Sequence, residues 1–122
     1  MDAPRPLTAK ERMAIERQKM PEQEALRRSG NFEEVNLGLP EQFAMLEAQR
    51  CLKCKNAHCV QGCPVMVNIP RFINFLAEGN IKAAAESLLS DNALPAVTGR
   101  VCPQENQCEA SCIRGNRGLP VA

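Results

Sequence analysis

The sequence predicts an all-α fold of short helices, on the strength of three observations. Apolar residues recur at helical spacing over residues 72–76 and again over 81–89. No segment alternates polar and apolar residues over the length of a strand. The chain of 122 residues has no Trp, no Tyr and four Phe. Because so few large side chains form a thin core, the seven cysteines are expected to hold the fold together.

Residues 1–30 are predicted to form a charged helical lead. Thr8 and Glu11 have the spacing of a capping box, so a helix is expected to begin directly after Thr8. Pro21 breaks this helix, since an internal proline removes a backbone hydrogen bond. A second short helix is expected over residues 22–28, followed by a turn.

Three further helices are predicted in the middle of the chain. Pro40 is expected at the first helical position of a helix that runs to about Cys51. Pro70 begins the next helix and Gly79 ends it, and Asn80 caps a third helix that ends near residues 91–92. The apolar face of this third helix is expected to be core and comprises Ile81, Ala84, Ala85, Leu88 and Leu89.

The cysteines fall into two groups along the chain. The first group reads Cys51-x2-Cys54-x4-Cys59-x3-Cys63-Pro64. The second reads Cys102-Pro103-x4-Cys108-x3-Cys112, and a short helix from Pro103 is expected to carry its last two cysteines on one face. An odd number of cysteines leaves one outside any closed disulfide framework. Metal or redox chemistry is therefore favoured.

Spacing favours iron–sulfur clusters among the metals that thiolates bind. Three close cysteines followed by Cys-Pro resemble a bacterial ferredoxin motif, in which the cysteine before the proline ligates the other cluster. This rule divides the cysteines into two sets. The four-cysteine set is Cys51, Cys54, Cys59 and Cys112. The three-cysteine set is Cys63, Cys102 and Cys108.

Two alternatives remain open at this point. A zinc module for protein or DNA contact needs four ligands per ion, and His58 brings the cysteines and histidine to eight. His58 adjoins Cys59, however, and adjacent residues rarely ligate one ion comfortably. A redox thiol switch needs an exposed cysteine of low pKa, which a sequence does not reveal.

Charge and hydropathy limit the partners. The net charge of +1 argues against nucleic acid. No apolar run is long enough to span a membrane, and the N-terminus lacks the apolar stretch of a secretory signal. A cytoplasmic, reducing setting is therefore expected. Basic residues near the cysteines are assigned either to a solvated surface or to a role beside the metal, and they include Arg50, Lys53, Lys55, Arg100, Arg114 and Arg117.

Residues 31–122 resemble the N-terminal iron–sulfur domain of the NADPH-dependent glutamate synthase small subunit and dihydropyrimidine dehydrogenase family. The resemblance rests on Arg50-Cys51-Leu52-Lys53-Cys54, Gly62-Cys63-Pro64-Val65, Ile69-Pro70-Arg71-Phe72, Gly99-Arg100-Val101-Cys102-Pro103-Gln104-Glu105 and Gly118-Leu119-Pro120-Val121-Ala122. It implies an α-helical ferredoxin-like domain with two [4Fe–4S] clusters, divided between the same two cysteine sets.

The resemblance also implies what accompanies this domain. The fourth ligand of the second cluster is expected to be a Gln or Glu shortly after Ala122. FAD and NADPH domains are expected later in the polypeptide, and a larger redox subunit is expected to accept the electrons. The expected function is an electron relay, from a flavin reduced by NADPH to that partner.

Overall fold

The computed structural model describes residues 5–122, and in these residues it is helical without a single strand. This confirms the predicted all-α fold. The α-helices run in chain order α1 Ala9–Ala14, α2 Ala25–Arg28, α3 Glu41–Gln49, α4 His58–Gly62, α5 Ile69–Ala77, α6 Ile81–Asp91 and α7 Pro95–Val101. Two 3₁₀ helices follow, Gln104–Asn106 and Ile113–Arg117.

The capping box at the start of α1 forms as predicted, but α1 ends at Ala14, well before Pro21, because Ile15 leaves the helical region with φ −73° and ψ 125°. Thr8 Oγ1 accepts a hydrogen bond from the Glu11 backbone N–H, and the Glu11 carboxylate accepts from the Thr8 backbone N–H. The Glu11 carboxylate also binds Arg5. Hydrogen bonds from Arg5 and Thr8 lower the pKa of Glu11 to about 2.

The second helix is shorter than expected, because its predicted first turn pairs with a distant backbone segment and stays extended. Glu22 and Asn36 form an isolated antiparallel bridge. On either side of it, the Gln23 N–H donates to Val35 O and the Leu37 N–H donates to Pro21 O. These contacts keep the chain extended, so α2 begins only at Ala25. The turn predicted after it is present at residues 29–30.

Helices α5 and α6 form a helical hairpin, and α3 packs against α5. Asn68 caps α5, where Pro70 lies in the first turn, and Asn80 caps α6 as predicted. Gly79 joins the two helices with a φ of 77°, a left-handed conformation that glycine adopts without steric penalty. Pro40 is the N-cap of α3, one position earlier than expected.

The predicted core face of α6 is partly wrong. Ala84 is buried, but Ile81, Ala85 and Leu89 are exposed. The buried face also contains Ser87, whose hydroxyl accepts a hydrogen bond from Arg71 Nε on α5 at 2.7 Å. The apolar stripe of α6 is wider than the surface that α5 covers, so only part of the stripe is buried.

The helix predicted from Pro103 does not form. A 3₁₀ turn over Gln104–Asn106 is followed by irregular turns through Ser111. Gln107 has φ −119° and ψ −109°, outside the helical region, and so interrupts the helix. Helices α4 and α7 had no predicted counterpart, since each has only five or seven residues.

Charged side chains occupy much of the interior. Only four apolar residues are buried among the described residues, namely Ala48, Val67, Ile73 and Ala84. The buried charged residues are Arg12, Glu47, Arg50 and Arg114. The expected thin core is thus present, and it is supplemented by ionic contacts. No helix in residues 5–122 has the length and apolarity needed to cross a bilayer.

Candidate metal centre

All seven cysteines line one cavity of about 580 Å³. Each cysteine is free and partly buried. The remainder of the wall is mainly apolar and includes Leu52, Val65, Val67, Ile69, Phe72, Ile73 and Leu88. A thiol-rich, apolar cavity of this size is suited to a bulky group with soft ligands.

Three segments carry the cysteines to this cavity. The first is the loop after α3, which contains Cys51 and Cys54 and turns at Lys53 with a φ of 54°. The second is α4, which contains Cys59 and is followed directly by Cys63. The third consists of the residues after α7, with Cys102 directly at the end of that helix. The cysteines thus lie on loops and short helices around α5 and α6.

Gly62 permits the close approach of the second and third segments. A Cβ at this position would lie 2.8 Å from the backbone oxygen of Gln107 and 2.6 Å from Ser111 Oγ. Backbone oxygen does not yield as a flexible side chain does. The absence of a side chain at Gly62 therefore lets α4 pack closely against the turns that bear Cys108 and Cys112.

We expect Gly62→Ala to separate these segments and to destabilise the fold by about 1–3 kcal/mol, as overpacking does in tight interiors. Gly99→Ala is the matched control. Gly99 lies inside α7, where a Cβ would have no atom within 4 Å, and alanine there gains helix propensity of up to about 1 kcal/mol. Urea unfolding measures both. Equal stability of the two variants would show that the close approach is unimportant.

The thiols of the four-cysteine set affect one another electrostatically. Burial raises the pKa of the Cys59 thiol to about 11, and negative charge on Cys51, Cys112 and Cys54 raises it as well. Burial also raises the pKa of Cys51, the Lys53 N–H opposes this, and Cys54 and Cys112 add to the rise. Each of the four is therefore close enough to affect another member electrostatically.

The three-cysteine set shows the same relation. Burial raises the pKa of Cys102, and the nearby Cys63 raises it further. Burial likewise raises the pKa of Cys108, with contributions from Cys102, Glu109 and Cys63. Four or three thiolates side by side repel one another, so a cation between them is needed to hold them ionised.

These raised pKa values predict that the metal-free protein loses stability at alkaline pH. A thiol whose pKa is higher in the folded state stabilises the fold below its unfolded pKa. That contribution is lost as the pH rises through the folded value. For Cys59 the window runs from 9.0 to about 11. Urea midpoints of the metal-free protein should fall across it, and Cys59→Ser should reduce the slope. A slope unchanged by Cys59→Ser would contradict the assignment.

Buried arginines adjoin the four-cysteine set. Arg12 Nη1 donates to Cys51 O at 3.2 Å and to Gln49 O at 3.0 Å. Arg114 is part of the cavity wall, two residues after Cys112. Burial and the charge of Arg50 lower the pKa of Arg114, and Glu47 and Cys112 oppose the effect.

The residues present fit an iron–sulfur cluster. The donor set is thiolate-rich, and Arg114 Nε is a buried N–H with no hydrogen-bond partner among the described residues. Sulfur atoms of a cluster accept such hydrogen bonds. At the other set, Cys102 Sγ lies 3.3 Å from Gln107 Oε1. Sequence reasoning named Arg114 among the basic residues with a role either on the surface or beside the metal, but it missed Gln107, which belongs to no ligand motif.

Similarity to known proteins agrees with this arrangement. The family model described as dihydropyrimidine dehydrogenase domain II, 4Fe-4S cluster, matches residues 28–122. The chain is 41% identical over 98 residues to a glutamate synthase [NADPH] small chain of Halomonas elongata, covering 80% of this chain and 21% of that protein.

A second relative leads to the same group of proteins. The chain is 38% identical over 90 residues to the NAD-dependent dihydropyrimidine dehydrogenase subunit PreT of Escherichia coli, covering 74% of this chain and 22% of PreT. The chain thus spans about a fifth of the length of each relative. Through the match over residues 28–122, the chain belongs to the family of dihydropyrimidine dehydrogenase domain II, the 4Fe-4S cluster domain.

Proposed function

We propose that the chain is an electron-transfer module that binds two [4Fe–4S] clusters within a larger oxidoreductase. The observation that carries this proposal is the wall of one cavity, where seven thiols are divided into two groups of neighbours. The four-cysteine set would hold the first cluster and the three-cysteine set the second. The three-cysteine set needs one further ligand, which the resemblance assigns to a Gln or Glu after Ala122.

The interleaving of the sets supports a relay. Cys59 and Cys63 lie at the two ends of α4 and belong to different sets. Cys108 and Cys112 are likewise four residues apart and belong to different sets. Residues four apart on a helix lie about 6 Å from each other, which holds for Cys59 and Cys63 across α4. The two centres would therefore be neighbours, as electron transfer between them requires.

The chain's own residues would position and insulate these centres. An iron–sulfur cluster, when bound, supplies a one-electron carrier with a potential set by hydrogen bonds, charge and exposure. The cysteines hold it, and Val67 and Ile73, both buried, exclude water from the cavity wall. Residues 1–30 would act as a lead to the cluster domain of residues 31–122, since Arg12 binds the backbone beside Cys51.

The activity of the whole protein is part of this proposal. As the family resemblance of residues 31–122 implies, FAD and NADPH domains would follow in the same polypeptide and would reduce the clusters one electron at a time. A larger subunit, as in a glutamate synthase, would receive the electrons. A reducing cytoplasmic setting would keep the seven thiols available for iron. Nucleic acid and membrane are not among the proposed partners.

Zinc is the second candidate, and the geometry supports it less. Among residues 5–122, no three Cys, His, Asp or Glu side chains converge in a way that suits a single metal ion. A structural zinc site needs four ligands at about 2.0–2.3 Å from one point. Thiols spread around a cavity of about 580 Å³ instead suit a multi-atom cluster.

Anaerobic redox cycling of the reconstituted chain tests the proposed function. We expect visible absorption that bleaches with dithionite and returns on addition of a one-electron oxidant, together with an EPR signal in the reduced state. Zinc content is measured on the same sample. A colourless protein that retains zinc and does not cycle after anaerobic reconstitution would overturn the proposal.

A further inference from the structure

The interior contains more positive than negative charge. Arg12, Arg50 and Arg114 are 7%, 1% and 4% exposed, whereas Glu47, 2% exposed, is the only buried carboxylate among the described residues. The buried groups therefore carry an excess of two positive charges. An uncompensated buried charge is costly, so such an excess calls for an anion nearby.

Neutral carbonyl groups hold two of these arginines. Arg12 donates to Leu7 O as well as to the backbone near Cys51. Arg114 donates from Nη1 to Leu119 O and from Nη2 to three carbonyls, those of Arg12, Met13 and Ile15. These contacts fix the guanidinium groups in place without neutralising them.

Glu47 is fully engaged and compensates only Arg50. Its carboxylate binds Arg50 Nη1 and accepts from the backbone N–H groups of Gln18 and Ala122, each at 2.7 Å. Arg17 is paired with Glu109 outside this interior, so that pair leaves the balance unchanged. The excess is thus located around Arg12 and Arg114, the two arginines beside Cys51 and Cys112.

We propose that Arg12 and Arg114 form a built-in counter-charge for the cluster of the four-cysteine set, and that Arg114 Nε–H donates a hydrogen bond to one of its sulfur atoms. The inference rests on the proposed function. A [4Fe–4S]²⁺ core with four thiolates has a formal charge of about −2, equal and opposite to the buried excess. Arg114, whose Nε–H has no partner among the described residues, lines the same cavity.

This arrangement raises the reduction potential of the first cluster. Reduction adds a negative charge, and nearby positive charge in a low-dielectric interior stabilises the reduced state more than the oxidised state. The three-cysteine set has no buried arginine adjacent to its cysteines in sequence. The second centre therefore lacks this contribution to its potential.

Two substitutions that change the buried charge in opposite directions test the proposal on the reconstituted chain. A Cys102→Ala/Cys108→Ala background removes the second centre, so that an EPR-monitored titration follows the first alone. Arg114→Met removes one positive charge and should disfavour reduction about tenfold, a fall of about 59 mV for a one-electron couple. Glu47→Gln removes the negative charge and should shift the potential upward.

The outcomes separate this inference from the proposed function. Absence of any cluster signal in the unsubstituted chain would refute the function itself. A normal cluster whose reduction potential is the same in both variants would refute only the proposal that the buried arginines act as its counter-charge. Loss of the cluster from both variants would also refute it, since a purely structural role predicts the same damage from either change. A shift of the expected sign in either variant that retains its cluster supports it.

Discussion

Cys112→Ala is expected to abolish the first cluster and to leave the second intact, whereas Cys108→Ala should do the reverse. These cysteines lie only four residues apart in one segment of turns, so a general disturbance of the segment would affect both clusters alike. The expected difference follows from their neighbours. Charge on Cys112 raises the pKa of Cys51 and of Cys59, and charge on Cys102 and Cys63 raises the pKa of Cys108. Alanine is chosen because it provides no oxygen to replace the lost thiolate.

Iron analysis and EPR of the two reduced variants distinguish these results. Each variant should retain about half of the iron, and the two residual signals should differ from each other. The pair Cys59→Ala and Cys63→Ala, at the ends of α4, should repeat the pattern. Identical residual signals from Cys108→Ala and Cys112→Ala would contradict the division into two sets.

Arg50→Met is expected to destabilise the fold by about 3–5 kcal/mol, because it leaves a buried carboxylate without its partner. Arg50 is the largest side chain that is fully buried among the described residues. It donates to Glu47, to Ile15 O and to the carbonyls of Leu119 and Pro120. It therefore joins the N-terminal lead, α3 and the last residues of the chain, and its loss releases all three.

Arg100→Met is the matched control for this prediction. Arg100 forms an ion pair with Glu34, but both side chains are more than half exposed. Exposed pairs contribute about 0–1 kcal/mol. Urea unfolding of the two metal-free variants measures the difference. If Arg50→Met and Arg100→Met shift the midpoint equally, the buried ionic contacts do not stabilise this fold.

Local signals predict the helices well where a cap and a stop are both present. Asn80 and Gly79 mark the hairpin of α5 and α6, and Thr8 marks the start of α1. These features depend on a few adjacent residues. The helix predicted from Pro103 is wrong, since helical spacing of cysteines does not show that the backbone turns at Gln107. Which residues of the α6 apolar stripe stay exposed depends on where α5 packs. Local periodicity carries no information about that position.

The cysteines of the candidate site are evident from their spacing, but the charged interior is not. In the sequence, Glu47 interrupts the apolar face of α3, and in the structure it is a buried acceptor for Arg50. Arg12 lies in a segment whose charges favour a solvated helix. Two of its three partners are backbone oxygens of residues 37 and 39 positions away. A contact to a distant carbonyl depends on the folded backbone and leaves no pattern in side-chain types.

Iron and acid-labile sulfide, quantified with zinc in the anaerobically reconstituted chain, test the central claim most directly. Two [4Fe–4S] clusters predict about eight iron and about eight sulfide per chain when both sets are filled. Loss of the three-thiolate centre, which lacks a fourth cysteine ligand, should reduce both values together, toward about four. A protein that binds zinc in stoichiometric amount and retains neither iron nor sulfide would contradict the account.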